Sequence, residues 1–228
     1  MVVCFFFCFF VDWEYMKKKK NAGLIAVLVL VLVIAADQVL KIWIKTNMFL
    51  GEEYIILDWF RIHFVENNGM AFGMEVSGGK LFLSLFRIIA VGFIGYYLYS
   101  LVKKGYKTGY IACIALILAG AFGNIIDCVF YGEIFSASYP GVGGIAHFVP
   151  LGEGYSSWLH GKVVDMFSFP LFSGTFPDWF PLWGGESFVF FNAIFNIADA
   201  AITVGIFILI LFYRKTLSHS LEKKDNTK

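Results

Sequence analysis

Four stretches of the chain are apolar almost without interruption, at about 22–43, 81–102, 110–131 and 188–213. Each meets the roughly 20 helical residues needed to cross a bilayer core about 30 Å thick. A different period appears between the first two. Phe60, Ile62 and Phe64 alternate with Arg61, His63 and Val65, which predicts a short strand with one apolar face. Asn67, Asn68 and Gly69 follow; all three tolerate left-handed backbone and predict a turn.

Composition excludes the soluble alternative. In 228 residues, 59% are apolar and 19% aromatic, more than a soluble domain of this size carries. Four crossings place both chain ends on one side, and the basic residues say which. Lys17 to Lys20 precede the first window, Lys103, Lys104 and Lys107 separate the second from the third, and Arg214 and Lys215 follow the fourth. Lys and Arg in short loops mark the cytoplasmic face. The loops at about 44–80 and 132–187 therefore face outward. The second, with "FPLFSGTFPDWFPLWGG" at 169–185, is so aromatic that it is expected in the headgroup layer. A net charge of +1 gives no reason to expect a nucleic-acid partner.

The first residues read as an extension. "MVVCFFFCFFVDWEY" has too short an apolar core to span, and its basic run follows the apolar stretch, unlike a secretory signal. Met16, followed by four lysines, is the expected natural start, with an interfacial anchor as the alternative. The expected division is a cytoplasmic segment at 1–21, a membrane domain at 22–213 and a cytoplasmic tail at 214–228.

Ionisable groups at membrane depth are costly and point to function or to pairing. Asp37 and Lys41, four apart, share a helix face and are close enough to pair. Asp127 closes "AGAFGNIID", where Gly120 and Gly123 are spaced like residues that let helices pack closely, and Asn124 and Asp127 share a face. Asp165 ends an apolar stretch of the second outer loop. Asp199 begins the fourth window, with Asn196 and Asn192 expected on its helix face. Two carboxylates brought together in a partly dry site share a proton, so one activates water while the other protonates a carbonyl. Spacing alone does not require Asp165 and Asp199 to meet.

The ordered set "DQVLK" (37–41), "NNGMAF" (67–72), "GAFGNIID" (120–127), "VVDMF" (163–167) and "FNIAD" (195–199) resembles the lipoprotein signal peptidase, or signal peptidase II, family across nearly all of 22–213. The resemblance implies a bacterial membrane aspartic peptidase that cuts prolipoproteins just before a cysteine carrying a diacylglyceryl group. It implies Asp165 and Asp199 as the catalytic dyad. Asp37, Lys41, Asn67, Gly69, Gly120, Asn124, Asp127 and Asn196 are then positions that bind substrate or brace the dyad. The expected fold is an all-α membrane protein of four transmembrane helices with a small periplasmic β-rich element and a long aromatic outer loop. The expected place is the bacterial inner membrane, with the active site at its outer face and lipids and prolipoproteins as partners.

Three departures stand out. Cys128 takes the place of an Arg usual in the family, which leaves Asp127 without its neighbouring cation and makes Lys162 and Arg61 the candidate partners. Met70 replaces a usual Ala. The segment between Asp165 and Asp199 is longer than typical. Small-residue faces at Gly120 and Gly123 would leave room for the signal helix. Two other classes remain in view, an ion-coupled transporter and a purely structural subunit; a transporter places its charges nearer the midplane. His63, His147, His160 and His219 lack metal-ligand spacing, no serine stands in a GxSxG turn, and the cysteines form no CxxC. No metal or cofactor is expected.

Overall fold

A computed structural model describes residues 2–68 and 79–222, with side chains described from residue 21 onward. The elements, in order, are α1 (Val2–Asn47), β1 (Glu53–Leu57), β2 (Phe60–Asn67), α2 (Gly79–Lys104) and α3 (Thr108–Ile126). A π-turn (Asp127–Tyr131) and the short α4 (Gly132–Ile134) follow, then β3 (Val163–Ser168), β4 (Phe172–Thr175), β5 (Ser187–Phe190), β6 (Ile194–Phe195) and α5 (Ile197–Glu222). Four helical stretches among the described residues are long and apolar enough to cross a membrane: Asn21–Asn47, Gly79–Lys104, Thr108–Ile134 and Ile197–Glu222. Three lie where the apolar pattern puts them.

The fourth is shifted. Its helix starts at Ile197 and runs to Glu222, while Ser187–Phe190 and Ile194–Phe195 are strands. "SFVFFNAIF" is apolar enough to lengthen a hydropathy window. Periodicity cannot separate such a short aromatic run from a helix, and here it pairs with β4 and β3 instead. Asn192 therefore does not lie one helical turn before Asn196.

The chain divides into two units. The first comprises Met1–Asp37, Leu85–Ile125 and Ile197–Lys228. Its buried core gathers Ala22, Ala26, Leu101, Tyr110, Ile111, Ala115 and Leu209. Close approach depends on small residues, as expected from "AGAFG". A Cβ on Gly120 would lie 2.2 Å from the Ala198 carbonyl oxygen, and one on Gly123 would lie 2.8 Å from Asp37 Oδ2. The space expected for a signal helix at these glycines is thus filled by α5 and Asp37 of the same chain.

The second unit comprises Gln38–Ser84 and Ile126–Asn196. It holds an antiparallel sheet in the order β1-β2-β3-β6 and a separate β4-β5 hairpin. The two-residue turn Asp58–Trp59 joins β1 to β2. As the alternation predicts, Phe64 is buried and Ile62 packs beside it, in a core with Ile44, Met48, Tyr131, Phe135, Val164 and Met166. Burying side chains of this size contributes about 1.5–3 kcal/mol each. Val164 and Met166 point from β3 into this core. Asp165, between them, points to the other face.

Gly120→Val should lower the unfolding temperature in detergent, with overpacking costing about 1–3 kcal/mol, because backbone occupies the space. Gly92→Ala, where a Cβ meets nothing within 4 Å, should leave it unchanged or raise it slightly.

Candidate active site

In the second unit, Asp165 lies on β3 opposite Val65, and Asn67 lies opposite Val163. Asn67 and Asp165 are therefore diagonal neighbours on one sheet face. Asn67 Nδ2 donates to Asp165 Oδ2 at 3.2 Å, and Asn196 Nδ2 donates to Asp165 Oδ1 at 2.7 Å and to the Val164 carbonyl at 3.3 Å. Asn196 is fully buried, and Asp165 nearly so. Asn67, expected in a turn, instead continues β2 two residues past the alternation because β3 pairs with it, and it aims one amide at the acid; the residue after β6 aims a second.

In the first unit, Asp199 lies in the first turn of α5 and accepts a hydrogen bond from Asn124 Nδ2 of α3 at 2.8 Å. The Ala198 N–H donates to Asp37 Oδ1 at 2.9 Å. The first amides of a helix lack intrahelical partners, and an acid at that end also meets the positive end of the helix dipole. Asn196, the residue before the helix, turns its Nδ2 to Asp165. Asp37 caps the helix at the Ala198 N–H.

Asp127 opens the π-turn, a wider turn often found at functional sites. It is fully buried in the second unit, where Lys41 Nζ lies 2.8 Å from its Oδ2. Gln38 Nε2 donates to Oδ1 at 2.9 Å and the Val164 N–H donates to Oδ2 at 3.2 Å, while the Tyr131 hydroxyl donates to Gln38 Oε1 at 3.1 Å. This corrects the expected pairing. Lys162 is engaged by Glu66 at 3.1 Å and Arg61 by Glu53 at 3.3 Å, so the cation of Asp127 is Lys41. Cys128 is a buried thiol.

A second ionic cluster escaped the sequence reading. Glu66 on β2 is held by Lys45 and Lys162, and Ser138 Oγ donates to its Oε1 at 3.0 Å. Lys45, fully buried, also donates to Ser138 Oγ at 3.0 Å and lies over the Tyr155 ring. Burial pushes the Glu66 carboxyl up, but Lys45 and Lys162 outweigh that and hold it below its ordinary range. The signal was present in the sequence: Lys41 and Lys45 are one helical turn apart, on the same face as each other. Gly69 and Met70 lie outside the described residues. Among the described residues no group of three or more His, Cys, Asp or Glu side chains gathers as a metal site.

Comparison with known proteins gives concordant results. The signal peptidase (SPase) II family matches residues 29–214. A lipoprotein signal peptidase of Porphyromonas gingivalis is 53% identical over 212 residues, 92% of each chain. Another, from Amoebophilus asiaticus, is 35% identical over 202 residues, covering 86% of this chain and 80% of that protein. A solved bacterial membrane enzyme, determined by the in meso method at 2.3 Å resolution, aligns with a TM-score of 0.55 at 25% identity, over 89% of this chain and 93% of its own.

Breaking the buried pair from one side should be costly. Asp127→Asn is expected to destabilise by about 3–5 kcal/mol, and adding Lys41→Met should recover part of the loss; chemical denaturation in mixed micelles measures both. Because Glu66 is depressed, its contribution is complete above the ordinary Glu pKa of about 4.3 and is lost as pH falls through its lowered value. Wild type should therefore lose unfolding temperature on acidification below about pH 4, and Glu66→Gln, less stable at neutral pH, should lose less.

Proposed function

The chain belongs to the signal peptidase II family, and from that premise we propose that it is a membrane aspartic endopeptidase whose two working carboxyls are Asp165 and Asp199. Family membership establishes a multi-pass bacterial membrane peptidase that processes the signal peptides of lipoproteins. The finer reading is a substrate already bearing a diacylglyceryl cysteine, cut at the peptide bond just before that cysteine.

One observation carries this reading. Asn196, which clamps Asp165, precedes Asp199 by three residues of chain, a reach of at most about 10 Å. The same short stretch thus supplies both the clamp of one acid and the other acid itself. The partners described above on the two carboxyls are carboxamides, which fix the oxygens without adding charge. Two neighbouring carboxyls hold one proton between them. The ionised member takes a proton from water as its oxygen attacks the carbonyl carbon, and the protonated member donates to the carbonyl oxygen. When the tetrahedral intermediate collapses, the C–N bond breaks and the leaving amine receives a proton from the dyad.

Asp37, Lys41, Asn67, Gly120, Asn124, Asp127 and Asn196 brace this arrangement. The basic segments, which favour the cytoplasmic side, support cytoplasmic termini and an α5 that begins at the outer face. There the substrate's acyl chains stay in lipid while its peptide bond reaches the surface.

With a diacylglyceryl-modified prolipoprotein as substrate, Asp165→Asn and Asp199→Asn should each lower the cleavage rate by on the order of 10²–10⁴-fold while unfolding at a temperature near wild type. Full activity in either variant would refute the dyad.

A further inference from the structure

The segment that the peptidase reading leaves unused is the β4-β5 hairpin. Phe172 pairs with Phe190, Ser173 with Val189, Gly174 with Phe188 and Thr175 with Ser187. Its tip is ordered by backbone bonds, with the Phe176 N–H donating to the Glu186 carbonyl at 2.9 Å and the Gly185 N–H to the Phe176 carbonyl at 3.0 Å. Rings run along it: Phe172 stacks on Phe190 at 4.6 Å, Phe176 lies 4.7 Å from Phe188 and 5.0 Å from Phe180. From Phe169 to Asn196 the only charged residues are Asp178 and Glu186.

Despite this composition the ribbon is open on both faces, and six of its eight strand residues are exposed. Trp179 is 78% exposed and Leu182 is 89% exposed. Leu182 also has φ of 73°, a left-handed conformation that residues with side chains rarely adopt. A two-stranded hairpin this exposed is marginal in water.

We propose that this hairpin is a lipid-binding element that lies in the interfacial layer of the bilayer, at the surface where α5 begins. Two arguments select lipid over a protein partner. The hairpin runs along the chain into a membrane-crossing helix: Phe190 and Ile197 are seven residues apart, a reach of at most about 25 Å, so it is tethered to the end of a segment that crosses lipid. A folded partner covers one face of a thin ribbon, whereas a fluid lipid layer covers both. Depth follows from the backbone. The outer edges of a two-stranded ribbon leave N–H and C=O groups that hydrocarbon cannot satisfy, so the ribbon stays at headgroup level, where Trp and aromatic rings are favoured. Asp178 and Glu186 remain hydrated at that level.

The inference is independent of the catalytic reading. Its test uses the full chain in phospholipid nanodiscs, with acyl chains brominated either near the headgroup or near the terminal methyl. The probe is the tryptophan emission lost on changing Trp179→Phe and Trp183→Phe together, or singly if the double variant does not fold. That emission should be quenched more strongly by shallow than by deep bromines and be shielded from aqueous iodide. Quenching by iodide with none by bromine would overturn the proposal, as would shielding from both accompanied by chemical cross-links between copies through the hairpin.

Discussion

A charge taken below the membrane surface must be met by an opposite charge and by hydrogen bonds, because its desolvation costs several kcal/mol otherwise. Lys41 and Lys45 impose this constraint on the second unit. Both are fully buried near the end of α1, one helical turn apart. Lys41 is met by Asp127 of the π-turn and Lys45 by Glu66 of β2. Each pairing fixes an element that borders β3: Asp127 accepts the Val164 N–H, and Glu66 sits opposite Val164 in the β2-β3 ladder. The placement of Asp165, one residue on, follows from this ionic frame.

The acids of this protein divide by the chemistry of the groups that hold them. Asp127 and Glu66 are held by lysines and are structural anions. Carboxamides reach Asp165 and Asp199, and such donors orient a carboxyl's oxygens without adding charge. Asp37 performs a third task, capping α5 through the Ala198 N–H, and so sets the first turn in which Asp199 stands. Buried charges and helix ends both need such partners, because an unmet one costs its full desolvation.

Much of this was legible in the sequence. The apolar windows gave three helices and the existence of a fourth, because a span must be long and nearly free of charge. The alternation at 60–65 gave most of β2, and the glycine spacing gave a close helix contact on α3, but with α5 of the same chain rather than with a signal helix. Less was legible where tertiary pairing overrode local pattern. "SFVFFNAIF" reads as helix by hydropathy and folds as strand because β3 and β4 offer it partners. Asp127 found Lys41 rather than Lys162 or Arg61, a choice set by the π-turn, which linear spacing does not announce. Lys45 and Glu66, separated by a hairpin, could be joined only by the fold.

The most direct test of two carboxyls acting on one site is a crystal structure with a substrate-like peptide carrying a tetrahedral hydroxyl in place of the scissile carbonyl. The account predicts that hydroxyl within hydrogen-bond distance, about 2.5–3.2 Å, of a carboxyl oxygen from both Asp165 and Asp199. A bound peptide whose hydroxyl contacts only one of them, or neither, would contradict it.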